Sequence, residues 1–227
     1  MVMRHAVRET RGEIVRVARL LRARGLAVGT SGNVGARLDD GRIAITPSTM
    51  DYDELSPEDV VIVAADGSPS EGRRVPSSEL PLHVAIFEAR PDVSAIVHTH
   101  SPFATAFSVA RREVPAVHYV LAPLVAPGHD RLRVAPYATF GTEELAGHVA
   151  ATLADDNACI LANHGAIAVG GSLVGAFARA ERVEELAMLA WRAEQIGDAA
   201  LLTAAELDDA RAQMARFPRQ TRTSGAG

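Results

Sequence analysis

The chain has 227 residues, of which 48% are hydrophobic and 22% charged, and its formal net charge is −5. This balance suits one large globular domain or two small ones, and the lack of a basic stripe argues against nucleic-acid binding, which depends on clustered lysine and arginine. The N-terminus carries no signal-peptide pattern and no run approaches about 18 apolar residues, so we expect a cytoplasmic protein without a membrane partner.

The first part of the chain mixes helical and strand-like periodicities. In chain order, the patterns predict a helix over residues 9–24, a hairpin from strands over 34–38 and 42–46, a one-turn helix at 56–58, a strand over 60–64 and a helix over 80–89. Ser77 and Ser78 precede the last of these helices, and a serine is expected to be its N-cap, with Pro81 in the first turn.

The remainder continues with short strands and longer helices. The patterns predict a strand over residues 93–97 leading into His98, a helix from 102 to 110, a strand over 116–121, a loop over 120–130, a strand over 132–135, a helix over 142–153, strands over 158–162 and 166–169, and helices over 172–195 and 203–216. Cys159, the single cysteine, is expected to be buried and unreactive. No repeat or linker appears, which favours one α/β domain over residues 1–217 and a disordered tail over 218–227.

A pair of histidines suggests a metal site. His98 and His100 are two residues apart, so on a strand they point to the same face, close enough to share one ion. A catalytic zinc needs three protein ligands and an open position. His164, next to Gly165, and Glu79, at the first turn of a helix, are candidate partners. From the residues alone, His164 could equally be a histidine of a turn, and Glu79 a carboxylate that caps a helix.

Eight short motifs occur in a fixed order along the chain. They are GTSGNV (29–34), ITPS (45–48), PSSE (76–79), RPDV (90–93), VHTHS (97–101), VHY (117–119), APYATFGT (135–142) and NHG (163–165). Together they resemble the class II aldolase and adducin family, with the fuculose phosphate aldolases as the most similar branch. The resemblance covers residues from about 9 to 195, which is most of the chain.

The resemblance implies a three-layer α/β fold in which helices flank a central, largely antiparallel sheet. It implies a homotetramer with active sites at the subunit interfaces and one Zn²⁺ per subunit. Glu79 and the histidines would bind that ion, with Glu79 also as the catalytic base, and Tyr119 would protonate the aldehyde oxygen in a neighbouring subunit's site. The implied positions are His98, His100, His164 and Glu79 for the metal; Gly32, Asn33, Ser48, Thr49, Ser77 and Ser78 for the substrate phosphate; and Phe140 and Phe217 for the aldehyde pocket.

The implied reaction is cleavage of a ketose 1-phosphate, such as L-fuculose 1-phosphate or a 5-deoxypentulose 1-phosphate, to dihydroxyacetone phosphate and a short aldehyde. A metal ion stabilises the enediolate that such cleavage leaves. The alternatives within the family are a pentulose-5-phosphate 4-epimerase, which typically carries aspartate where this chain has Glu79, and a methylthioribulose-1-phosphate dehydratase. A non-catalytic adducin-like interaction domain is disfavoured because such domains lose the metal histidines.

Three departures from the family pattern concern the substrate ends of the site. Thr49 stands where the fuculose phosphate aldolases usually have glycine, the loop over 122–129 is longer, and Phe217 stands where a mobile tyrosine is found. Two further histidines receive structural roles. His83 is expected to be a partly buried helix residue, and His118 to point to the opposite face of a strand from Tyr119.

Overall fold

The computed structural model describes residues 2–217, with side chains from His5 onward; the tail expected at 218–227 lies outside this range. The helices are α1 (Val2–Ala23), α2 (Leu80–Ala89), α3 (Pro102–Ala110), α4 (Glu143–Leu153), α5 (Leu173–Ile196) and α6 (Ala204–Ala215). The strands are β1 (Asn33–Arg37), β2 (Ile43–Ile45), β3 (Val61–Val63), β4 (Pro69–Glu71), β5 (Ala95–Thr99), β6 (Val114–Pro115), β7 (Arg131–Leu132), β8 (Val134–Ala135), β9 (Ala158–Leu161) and β10 (Gly165–Gly170). Two 3-10 helices cover Pro57–Asp59 and Tyr119–Leu121.

An eight-stranded sheet forms the centre of the molecule, in the order β4-β3-β2-β1-β5-β10-β9-β8. Every neighbouring pair is antiparallel except β8 and β9, which run parallel at one edge. The small strands β6 and β7 pair separately. The central, largely antiparallel sheet expected from the sequence is therefore confirmed.

Alternate residues of the sheet pack against helices on both faces. On β5, Val97 faces the core made with α1, α3, α5 and α6, whereas Ile96 faces the core made with α2 and α4. This two-residue alternation is the reason that each strand is buried on both sides. His98 has the same parity as Ile96 and therefore lies on the face covered by α2.

Several local predictions were wrong. Helix α1 begins at Val2, several residues before the predicted start at residue 9, and β4 was not predicted. The strand expected over 116–121 is a turn, because the His118 ring accepts a hydrogen bond from the Val120 amide and caps the 3-10 helix. Glu79, not a serine, occupies the N-cap position of α2, although the Ser77 hydroxyl accepts a hydrogen bond from the Glu79 amide.

Among residues 2–217, no helix combines the length and the apolar character that a membrane crossing requires.

Candidate functional site

Strand β5 places the first two histidines of the site. His98 lies opposite Asn33 of β1 and Ile167 of β10, and it is fully buried between these neighbouring strands. Its Nδ1 lies 3.0 Å from the carbonyl oxygen of Ala166. Because a carbonyl oxygen only accepts hydrogen bonds, Nδ1 carries the proton and the Nε2 lone pair is left for a ligand. His100 follows one residue after the end of the strand.

The third histidine comes from the turn between β9 and β10. Asn163 has a φ of 52°, a left-handed conformation that asparagine tolerates. The His164 amide donates to the Ser108 hydroxyl of α3 over 2.7 Å. A Cβ on Gly165 would lie 2.3 Å from the backbone oxygen of Thr99, so only glycine allows this close approach of β10 to the end of β5.

The three imidazole rings converge at nearly right angles. Their centroids lie 4.8, 4.8 and 4.9 Å apart, with interplanar angles of 77°, 78° and 81°. One ring nitrogen from each of His98, His100 and His164 lies within 4.8 Å of the others, an arrangement that can hold a metal ion. This is the donor set of a three-histidine metal centre with an open position.

Glu79 completes the cluster from the start of α2. Its Oε2 lies 3.0 Å from His98 Nε2, and its Oε1 lies 2.9 Å from His164 Nε2. Oε1 is buried, and it accepts no hydrogen bond of good geometry from any described residue, although His164 Nε2 lies close to it. Carboxylate and imidazole lone pairs that point at a common centre in this way fit a cation between them.

The electrostatics of the cluster also favour a cation. Burial lowers the pKa of His98 to about 3 and shifts the pKa of His100 in the same direction. Burial by itself raises the pKa of Glu79, but the electrostatic influence of His98 and His164 and the hydrogen bond from Asn33 outweigh this and bring that pKa below its ordinary value. The lowered pKa values of His98 and His100 keep their imidazoles neutral at neutral pH, beside the charge of the Glu79 carboxylate.

A cleft of about 340 Å³ opens beside the histidines. All six residues of the expected phosphate set line it, together with Glu79, His100 and His164; these six are Gly32, Asn33, Ser48, Thr49, Ser77 and Ser78. Its floor consists of two extended segments tied together by backbone hydrogen bonds, Ser48 to Val75 and Ser77 to Thr46, each 3.0 Å long. Their hydroxyls and amides give the cleft neutral donors suited to an anion.

The residue at the unusual position of the phosphate turn is conformationally strained. Thr49 has a φ of 54°, in the left-handed region that favours glycine and disfavours β-branched side chains. The turn therefore keeps the backbone shape that a glycine would adopt there, and Thr49 adds a side chain to the cleft wall.

The aromatic candidates are divided between the cleft and the outer surface. Phe140 lines the cleft and is 64% exposed. Tyr119 and Phe217 do not line it; they are 51% and 74% exposed elsewhere on the described surface. Tyr119 stacks on the His118 ring with centroids 4.4 Å apart, so the expectation that these residues point to opposite faces was wrong.

Sequence reasoning assigned no role in this region to Tyr137 or to His83. Tyr137 lines the cleft, and its position in the APYATFGT motif was the available signal. His83 is fully buried, contrary to the expected partial burial, and its Nε2 lies 2.5 Å from Asn33 Oδ1. Its spacing of four residues from Glu79 on one helix face was a signal for a shared environment.

Comparison with known proteins finds sugar-phosphate aldolases that are similar to this chain. Residues 12–191 match the family described as Class II Aldolase and Adducin N-terminal domain. The chain is 43% identical over 195 residues to a 5-methylthioribulose-1-phosphate/5-deoxyribulose-1-phosphate aldolase of Rhodospirillum rubrum, covering 86% of each chain. It is 40% identical to a 5-deoxy-D-ribulose 1-phosphate aldolase of Bacillus thuringiensis serovar kurstaki, covering 89% of this chain and 94% of that one.

Solved structures show the same fold. The chain superposes on an L-fuculose 1-phosphate aldolase with a TM-score of 0.86 and 34% sequence identity, over 91% of this chain and 96% of that structure.

Proposed function

The chain belongs to the class II aldolase and adducin family and is an aldehyde-lyase. From this premise we propose that it cleaves a 5-deoxypentulose 1-phosphate or its 5-methylthio analogue, and that the products are dihydroxyacetone phosphate and a short aldehyde. The observation that carries the proposal is the position of Glu79, which reaches two of three converging histidines at the edge of a cleft lined by neutral donors. L-fuculose 1-phosphate is the longer-chain candidate, as in the structural relative.

The metal of this reaction would be held by His98, His100 and His164, with Glu79 beside it. We infer Zn²⁺, because three imidazole ligands with an open position suit that ion. When bound, the ion supplies a Lewis acid that offsets the negative charge developing on the substrate oxygens during carbon–carbon cleavage.

The polar floor of the cleft would bind the phosphate of the substrate. Ser48, Ser77 and Ser78 offer hydroxyl donors, and the turn around Gly32 offers backbone amides. A Cβ on Gly32 would lie 2.7 Å from the His98 carbonyl oxygen, so glycine brings this turn directly against the metal-bearing strand. The phosphate would therefore be anchored close to the reacting carbons.

The remaining chemistry is proton transfer. Glu79 is oriented by a 2.7 Å hydrogen bond from the Asn33 side-chain amide to its Oε2. In the condensing direction its carboxylate would act as the base that removes the proton from the carbon of dihydroxyacetone phosphate, and in cleavage the same group would return that proton to the enediolate carbon. Tyr119 of a neighbouring subunit would exchange the proton on the opposite side of the substrate, accepting it from the hydroxyl in cleavage and donating it to the aldehyde oxygen in condensation, since in its own chain it is exposed and away from the cleft. This assignment makes a homotetramer with interfacial active sites part of the proposal.

A panel of ketose 1-phosphates, with coupled detection of dihydroxyacetone phosphate, tests the proposal. Zinc-loaded protein should release dihydroxyacetone phosphate from a 5-deoxypentulose 1-phosphate or its methylthio analogue, and a chelator or the Glu79→Gln variant should abolish release. No release from any ketose 1-phosphate would refute the aldolase assignment. Epimerisation of a pentulose 5-phosphate, or loss of water from methylthioribulose 1-phosphate, would replace it with the corresponding alternative.

A further inference from the structure

We propose that His83 is a positioning residue that holds the Glu79 carboxylate in its working orientation through Asn33. The inference rests on the proposed function, in which Glu79 is the base beside the metal. His83 does not line the cleft, and its effect would pass through the Asn33 side-chain amide that it contacts.

A continuous hydrogen-bonded path links the buried ring to the carboxylate. His83 Nε2 lies 2.5 Å from Asn33 Oδ1, and Asn33 Nδ2 lies 2.7 Å from Glu79 Oε2. All three side chains are buried. The path starts on α2 one turn after Glu79, crosses to β1 and returns to Glu79, so helix and sheet are joined directly under the site.

Only one arrangement of protons satisfies this path. The ionised Glu79 oxygen accepts only, so the Asn33 amide must turn its NH₂ group toward the carboxylate and its Oδ1 toward His83. Oδ1 also accepts only, so His83 Nε2 must carry the proton. Nδ1 of His83 is buried without a hydrogen-bond partner among the described residues, as expected for the unprotonated nitrogen of the neutral ring.

The missing side chain of Gly35 leaves the space that the His83 ring occupies. A Cβ on Gly35 would lie 2.4 Å from His83 Nδ1 and 2.9 Å from its Cε1. Gly35 therefore lets the imidazole lie directly on β1, two residues along from Asn33, where it is fully enclosed. A ring enclosed in this way is held in place by its surroundings, and it would fix the amide orientation that Glu79 depends on.

The geometry predicts separable effects on turnover and binding. His83→Leu removes the donor at similar volume and should lower kcat by about 10- to 100-fold, the usual range for losing such a supporting contact, with little change in KM. His83→Gln restores a donor and should recover most of the rate. In an Asn33→Ala background, where the path is already broken, His83→Leu should cost less than about threefold. Ile86→Val, equally buried on α2, is the control for a general packing effect.

A second measurement does not depend on activity. Long-range ¹H–¹⁵N NMR on the metal-free protein should show His83 as the neutral Nε2–H tautomer, with a slowly exchanging proton that is lost on Asn33→Ala. If wild type released no dihydroxyacetone phosphate from any ketose phosphate, the proposed function would fail while this result could still stand. An Nδ1–H tautomer, additive losses in the double variant, or a folded His83→Leu protein with wild-type kcat would each overturn the proposal.

Discussion

Replacing Asp156 by asparagine should destabilise the edge of the sheet where the loop following Tyr119 is attached. Asp156 is fully buried two residues before the start of β9. Its Oδ1 accepts hydrogen bonds from the Ala126 amide over 2.8 Å and from His129 Nδ1 over 2.7 Å. Its Oδ2 accepts two from the Arg133 guanidinium, over 3.0 and 2.8 Å. An asparagine NH₂ group would face donors on whichever side it occupied.

The size of the loss follows from the burial of the partners. Breaking a fully buried ion pair costs about 3–5 kcal/mol, but the Arg133 side chain is 32% exposed and can be partly rehydrated, so we expect about 2–3 kcal/mol. For a chain of this length that corresponds to a fall in Tm of roughly 4–12 °C. Thermal unfolding of Asp156→Asn measures it, with Asp155→Asn, an exposed neighbour, as the matched control. A Tm within about 2 °C of wild type, or an equal fall in the control, would refute the reasoning.

Three further perturbations test other parts of the structure. Gly165→Ala places a Cβ 2.3 Å from a backbone oxygen of β5 and 3.0 Å from the His100 ring. The metal content measured after gel filtration should therefore fall at least about tenfold. Gly171→Ala, which has open space around its Cβ, is the control and should retain its metal. Tyr119→Phe should slow cleavage by about 10²- to 10⁴-fold with unchanged metal content; loss of the metal would show that the residue has another role. Burial raises the pKa of the Cys159 thiol to about 12, so Ellman's reagent should label it at pH 8 only in denaturant, and rapid labelling of native protein would contradict its burial.

The sequence predicted the elements whose patterns are local and strong. Helices α2, α3, α4 and α5 have capped or proline-marked starts and clear apolar periodicity, and the predicted bounds match within a residue or two. The exposed strand β4 (Pro69–Glu71) has no apolar alternation to reveal it. The error over 116–121 arose because an apolar run alone does not distinguish a strand from a buried turn, and the deciding contact is the His118 cap.

The candidate site was predictable to the extent that its residues stand in recognisable motifs. His98 and His100 are two residues apart at the end of β5, so their proximity follows from extended backbone geometry. The convergence of His164 and Glu79 on them depends on contacts between distant segments. The spacing of His83 from Glu79 indicated a shared helix face, but the full burial of His83 could not be predicted from its neighbours in sequence. Its environment is set by Gly35, far away in sequence, whose missing side chain leaves the space that the ring fills.

Metal titration of the stripped protein tests the central claim most directly. After removal of metal with a chelator, the rate of dihydroxyacetone phosphate release should be restored in proportion to added Zn²⁺ and should saturate at one equivalent per chain, as expected for one site formed by His98, His100 and His164. His98→Ala should bind no stoichiometric metal and should not recover. Full activity in the metal-free protein, or full recovery of His98→Ala at one equivalent, would contradict the account.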